Sequence, residues 1–360
     1  MDYLIKKNIV KKNKVIVDVS KQQTRILGVH YAGGKVNVTG SYTFDTGERF
    51  DARALATEVS GAIFHHAPDI KNGDIVLSIP SSLVQFRLES VKNTKLAEID
   101  KYIRANHQLN KAAEQTHIID WTYLGEREEK ADTVRYYLVA AVSRSEEYAI
   151  IEEFRKQRLN VTGITFAENN MVCLTDLWHD DYEYMNKLYI DIGAENSRVI
   201  VESGGVVVYS RLIDCGLSAG TPANELRNEI IRIIRMYGND GTDISKIICL
   251  NKVPGGLFDD FAESGITVEI ADCKMWYEMD GDGYLLSLTN RDIETEFALT
   301  VGAGLSAMQN NRRLNLMPAD HKGKQAGKFL MYAFGGVAAV LVLIMVFTYI
   351  NLGFANFTLN

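Results

Sequence analysis

The four cysteines, Cys173, Cys215, Cys249 and Cys273, include no C-x-x-C pair and have no histidine pair nearby. That excludes a zinc ribbon and a disulfide framework, and it leaves reduced thiols of a cytosolic kind. A basic field is also missing: Asp and Glu number 46 against 39 Lys and Arg, for a formal net charge of -7. Without that field or a recognition motif, nucleic acid is not an expected partner. The first stretch, MDYLIKKNIVKKNK, is basic but has no apolar core of a signal peptide, so export of the residues after it is not expected. Its lysines read either as a solvated tail or as a contact with anionic lipid. Charge is absent from one long run, FLMYAFGGVAAVLVLIMVFTYI, residues 329–350. As a helix it would be roughly 33 Å long, enough to cross a bilayer and longer than a globular core asks for. Arg312, Arg313, Lys322, Lys324 and Lys328 precede this run and no Lys or Arg comes after it. The expected topology is single-pass in the cytoplasmic membrane, with the N-terminal bulk in the cytoplasm and residues 351–360 as a short extracytoplasmic tail.

What is present before that run is an internal repeat. VIVDVSKQQTRILGVHYAGGKVNVTG starts at Val15, and LYIDIGAENSRVIVESGGVVVYSR starts at Leu188. Each reads as an apolar strand ending near an Asp, a short polar turn, a second strand, a Gly-Gly pair and a third strand. Gly33-Gly34 and Gly204-Gly205 supply the positive φ of a tight hairpin. A small or glycine-rich turn after the first strand lets backbone N–H groups approach a phosphate. Asp191, Gly193 and Ala194 fit that use, with Asp191 orienting a metal or its water. The first copy keeps the acid, Asp18, but has Ser20 where the glycine stands in the second.

This duplication resembles the actin-like ATPase superfamily, and within it the PilM proteins of type IV pilus assembly, relatives of FtsA and of the cytoplasmic part of the secretion protein GspL. The resemblance implies an α/β, actin-like (ribonuclease H-like) two-lobed fold clasping ATP and Mg²⁺, with Asp18 and Asp191 as metal-orienting acids. Between the repeats, DIVLSIP, SSLVQFRLESV, a helical face of Leu96, Ile99 and Ile103, two further strands and a helix from about Arg144 read as a β-β-α-β-β-α unit. Ser143 with Glu146 forms a capping box for that last helix. The unit resembles an inserted α+β subdomain of the 1C or SHS2 kind. GITFAENNMVCL resembles the return to the first lobe, which places Glu168 near the terminal phosphate or metal. Its other reading is a carboxylate favoured at a helix start.

Leu226, Ile230, Ile233 and Tyr237 form one face of a helix opened by Pro222 and Glu225. On it, Glu229 and Arg232 are candidates for ribose or base contacts, or for a surface ion pair at i,i+3. The strand KIICL leads to LNKVPGGL, where the family has a glycine run at the adenine turn. Asn251 and Lys252 occupy that run and only Gly255 and Gly256 remain, so a degenerate scaffold is favoured over an efficient ATPase. EFALTVGAGLSAM resembles the family's last helix, returning small residues to the first lobe.

Next comes Leu314-Asn315-Leu316-Met317-Pro318, which resembles the short segment of PilN that precedes its own membrane helix and docks on PilM. Leu314 and Leu316 alternate with Asn315, so an extended peptide would seat two apolar anchors while pairing its backbone with an edge strand. A generic linker is the alternative. The expected domains are a first lobe at 1–75 and 164–187, an insertion at 76–163, a second lobe at 188–290, a return helix at 291–311, a PilN-like motif and basic linker at 312–328, and a C-terminal transmembrane helix at 329–350. The function implied is a pilus-platform component meeting PilN/PilO-like proteins, an assembly ATPase and the membrane, with self-association open. The alternatives are an actin-like ATPase and a GspL-like type II secretion component.

Overall fold

The computed structural model describes residues 13–20, 22–32, 35–47, 50–66, 74–92, 98–106, 116–129, 132–175, 185–217, 223–238, 243–251, 253, 255–271, 295–306 and 314–318. The chain divides into a unit of residues 1–316 and a second of residues 317–360, of which Met317 and Pro318 are described. The run 329–350 lies outside the described residues; among those described, no helix is long and apolar enough to cross a membrane.

Each repeat builds the start of a sheet. In the first, β1 (Asn13–Val19), β2 (Gln23–Ala32) and β3 (Lys35–Asp45) pair antiparallel, and α1 (Ala52–His66) leads to β4 (Asp74–Ile79), parallel to β1. In the second, β9 (Asn186–Ile192), β10 (Ser197–Ser203) and β11 (Val206–Ile213) do the same, and α5 (Ala223–Gly238) leads to β12 (Ile244–Cys249), parallel to β9. A fifth parallel strand closes each sheet: β8 (Asn160–Phe166) in the first and β13 (Thr267–Ile270) in the second. The two orders, β3-β2-β1-β4-β8 and β11-β10-β9-β12-β13, are the same design. β1, β4 and β9 read as nearly continuous apolar runs because both of their faces are covered. Gly204 and Gly205 take φ of 58° and 75° in the second hairpin, as its turn requires; Gly33 and Gly34 lie outside the described residues.

Between β4 and β8 stands a separate three-stranded antiparallel sheet of β5 (Val84–Lys92), β6 (His117–Glu129) and β7 (Asp132–Ser143), ordered β5-β7-β6. Helix α2 (Ile99–Asn106) covers it, and Ile99 and Ile103 join Val91, Tyr137 and Val139 in one buried cluster. The sequence alone groups the strand DIVLSI with this unit. Its pairing with β1 and β8 puts it instead in the first sheet, because its buried face continues that core. The helix that follows β7, α3 (Arg144–Lys156), packs on α1. The capping box expected at its start does not form: the Ser143 side chain makes no cap bond, and its hydroxyl meets that of Ser145 at 2.9 Å. At Gly125, φ of 142° and a register shift bring β6 against β11, where a Cβ would lie 2.8 Å from Val206 Cγ2.

Helix α4 (Ala167–Thr175) follows β8, α6 (Asp259–Glu263) precedes β13, and α7 (Ala298–Ser306) ends the series. α7 packs on α4 and β1, and a Cβ at Gly302 would overlap the Asn170 carbonyl. Small residues here let two helix backbones approach.

Candidate functional site

The parallel strands end on the side of each sheet from which the two lobes face one another. The first lobe brings Asp18 from β1, Ser78 from β4, Ser81 from the turn after Pro80, and Glu168 from the first turn of α4. The second lobe brings Asp191 from β9, Arg198 from β10, and Asn251 from just beyond β12. Open α/β sheets collect polar groups at the carboxyl ends of their strands, and both lobes follow that rule.

Arg198 ties these groups together. Its Nη1 donates to Asp191 Oδ2 at 2.9 Å, and its Nε donates to Glu168 Oε1 at 3.1 Å with Ser81 Oγ at 3.4 Å. The Ser81 hydroxyl donates to Glu168 Oε2 at 2.7 Å. Asn251 Nδ2 donates to Asp191 Oδ1 at 3.0 Å, and the same side chain accepts from the Ile192 N–H at 3.1 Å while donating to the Ile192 carbonyl. Burial pushes the Glu168 carboxyl up, opposed by Arg198 and the Ser81 hydroxyl. It pushes Asp18 up as well, opposed by Arg25 and Ser78 and reinforced by Asp191. For Arg198, burial works against the charge, but Glu168 and Asp191 outweigh it and raise the guanidinium above its ordinary value.

The two turns are closed on themselves. The Ser20 N–H donates to the Gln23 carbonyl at 2.9 Å, and the Ser20 hydroxyl donates to the same oxygen at 2.7 Å. The Gly193 N–H donates to the Asn196 carbonyl at 3.1 Å. A Cβ at Gly193 would stand 2.5 Å from that oxygen, so the glycine is required by its own turn. Beside it, Gly216 packs on Ala194 and Glu195, leaving no room for a Cβ there. Glu229 takes the i,i+3 alternative, pairing with Arg232 at 3.5 Å and with Arg211 at 3.9 Å. Among the described residues no hydrogen bond or ion pair joins Glu229 or Arg232 to the acids of the cleft. Gly255 and Gly256 are exposed in the turn beyond Asn251, Gly256 with φ of 83°.

These side chains do not fit a magnesium nucleotide. Of the two acids expected to orient a metal, Asp191 already shares the Arg198 guanidinium with Glu168, and Asp18 is buried beside Arg25 and Ser78. The turn N–H groups of Ser20 and Gly193 point into their own loops, and the Asn251 amide is turned onto Asp191 and the Ile192 backbone. Among the described residues no group of three or more His, Cys, Asp or Glu is arranged to hold a metal ion. Sequence reasoning singled out Asp18, Glu168 and Asp191 but missed Arg198. The repeat carried the signal, because Arg25 and Arg198 each stand seven residues after the repeat's Asp.

A second arrangement lies at the edge of the first sheet. The Leu316 N–H donates to the Ile164 carbonyl at 3.0 Å, and the Ile164 N–H donates to Asn315 Oδ1 at 3.1 Å. The Asn315 N–H donates to Asp120 Oδ2 of β6 at 2.9 Å. Leu314 and Leu316 are 1% and 0% exposed, each burial stabilising by about 1.5–3 kcal/mol. The segment is therefore a coil stretch bonded to β8, with two buried apolar anchors; Met317 and Pro318 come next, in the second unit.

No protein-family model matches the sequence, and no curated protein matches it. Solved structures do. The chain is similar to the structure described as "PilM-PilN type IV pilus biogenesis complex", with 13% identity, a TM-score of 0.64, and coverage of 83% of this chain and 100% of that one. It is also similar, at 10% identity and a TM-score of 0.45, to the cytoplasmic domain of EpsL, an inner membrane component of the type II secretion system of Vibrio cholerae; 86% of this chain and 99% of that one are covered. A Bacteroides thetaiotaomicron protein with an actin-like ATPase fold gives 8% identity and a TM-score of 0.43 over 72% and 91% of the chains. At 13% identity the first likeness shows the fold alone, and the other two are too loose to build on. The duplicated sheets and the likeness at a TM-score of 0.64 show a two-lobed α/β fold shared with that first structure.

Proposed function

We propose that this chain is a PilM-like platform protein with a PilN-like segment joined to it in cis, linking cytosolic assembly motors to the cytoplasmic membrane in a type IV pilus or related filament system. The observation that carries this reading is the seating of Leu314, Asn315 and Leu316 on β8 and Asp120. The segment is used as a docking peptide, and it directly precedes the basic linker and the uncharged run at 329–350. The solved PilM-PilN complex supports the pairing by analogy, since its name joins the two partners that this chain would carry in one polypeptide. Fusion makes the local concentration of the segment far higher than a free partner reaches, in the millimolar range or above for a short connection.

The role is mechanical coupling. A pull on the membrane segment reaches β8 of the first lobe and β6 of the insertion together, because Asn315 bonds to both. The test is the full chain in membranes carrying Leu314→Asp with Leu316→Asp, followed by limited proteolysis. The expected result is rapid new cleavage between residue 306 and the membrane segment, and loss of crosslinking to the pilus platform. An unchanged cleavage pattern would reject docking. Residues 329–350 are tested separately: their deletion should release the protein from the membrane fraction.

A further inference from the structure

The strand register places an arginine opposite the acid in both hairpins, Arg25 against Asp18 and Arg198 against Asp191. The two copies then diverge. Arg25 stays within its own lobe, with Nη1 4.0 Å from Asp18 Oδ2 and Nη2 donating to Gln23 Oε1 at 3.0 Å. Arg198 bonds to its own Asp191 and crosses to Glu168 of the other lobe. All four oxygens of those two carboxylates have a partner from this chain: Arg198 and Asn251 on Asp191, Arg198 and Ser81 on Glu168.

We infer that Arg198 is a built-in counter-cation for the cleft, standing where a divalent metal with its nucleotide would bridge the lobes, so that the chain holds its lobes closed without a ligand. A guanidinium suits that role. It stays charged, offers donors in a rigid fork, and is more weakly hydrated than an ammonium, so burial costs it less. At 13% side-chain exposure, with Glu168 at 1%, the pair is screened little by water or salt. A metal at Asp191 would have to displace Nη1 and then sit beside a fixed positive charge. The inference stands apart from the platform reading and holds whatever work the lobes perform.

The test uses the full chain with spin labels at two exposed positions, Glu58→Cys on α1 and Glu263→Cys on α6. It reads the inter-lobe distance distribution and, separately, the uptake of Mn²⁺ alone and of Mn²⁺ with ATP. The unaltered cleft should give one narrow distribution, unchanged by either addition. Arg198→Ser should broaden it and bind Mn²⁺ at least about tenfold more tightly, because two buried carboxylates lose their counter-charge. If Arg198→Ser does not fold, Glu168→Gln is read in its place. It keeps the side-chain shape and removes the charge that Arg198 crosses to reach, so it too should broaden the distribution. Lobe closure on addition of Mn²⁺ with ATP to the unaltered cleft overturns the inference, as does an unchanged distribution in the folded variant.

Discussion

Asn251 holds Asp191 and the backbone of Ile192 with one side-chain amide, donating to Asp191 Oδ1 at 3.0 Å and accepting from the Ile192 N–H at 3.1 Å. It pins the end of β12 to the end of β9. Asn251→Gly leaves that N–H and one Asp191 oxygen without their partner. We expect a loss of about 1–3 kcal/mol in urea unfolding. We also expect no ATP binding by calorimetry, because the variant restores bare backbone while Arg198 remains. Binding of ATP by Asn251→Gly would mean that the asparagine alone had closed the site.

Asp18 and Glu168 give stability a pH dependence of definite sign. Burial raises both carboxyl pKa values, from ordinary values of 3.8 and 4.5. The folded chain thus holds these protons more tightly than the unfolded chain does. Their contribution is fully present below the ordinary values and is lost as pH rises through the raised ones. Asp18→Asn cannot ionise, so its urea midpoint should gain on wild type as pH increases through the Asp18 transition. The two should converge below about pH 3.8, the ordinary Asp value. A difference that is constant across pH would assign the effect to packing.

Gly302 lies where α7 meets α4, and a Cβ there overlaps the Asn170 carbonyl. The obstacle is backbone, which cannot swing aside as a side chain can. Gly302→Ala should therefore destabilise the fold by about 1–3 kcal/mol despite the better helix propensity of alanine. Chemical denaturation of the variant beside Gly61→Ala supplies the comparison: Gly61 is also helical, and a Cβ there meets nothing within 4 Å. That control should hold its stability or gain slightly.

Asp120 accepts the Asn315 N–H at 2.9 Å and so connects the insertion to the segment on β8. Asp120→Ala removes a charge-assisted bond at the surface of a buried anchor. The expected cost is about 1.5–3 kcal/mol, confined to the segment. Hydrogen exchange should report it as faster exchange at Leu316 and Ile164, with β1 and β9 unchanged. Global acceleration would instead show that the segment and the core unfold as one unit.

The duplicated sheets were legible because each copy starts with an uninterrupted apolar strand, an acid and a turn, a pattern that tolerates few other folds. The burial of Leu314 and Leu316 beside β8 was legible for a related reason: alternation around Asn315 has a period of two, which puts two apolar side chains on one side of an extended chain. The grouping of Asp74–Ile79 was not, because a strand's sheet is decided by pairing partners distant in the chain, and DIVLSI suits either core. Ser143 with Glu146 had the spacing of a capping box, but the Ser143 hydroxyl engaged Ser145. Arg198 was not legible, since an arginine in a strand commonly faces water. Only its position opposite Asp191 and the approach of the other lobe make it central.

A fifth strand at the end of a sheet carries a row of unsatisfied amides and carbonyls, and β8 is such a strand. By bonding to Ile164 on both its N–H and its carbonyl, Asn315 and Leu316 interrupt that row. The segment therefore also acts as an edge guard, denying β8 to strands of neighbouring copies. A chain whose segment is cut away or pulled off would present an adhesive border, and its first symptom in a crowded cell would be self-association rather than loss of fold.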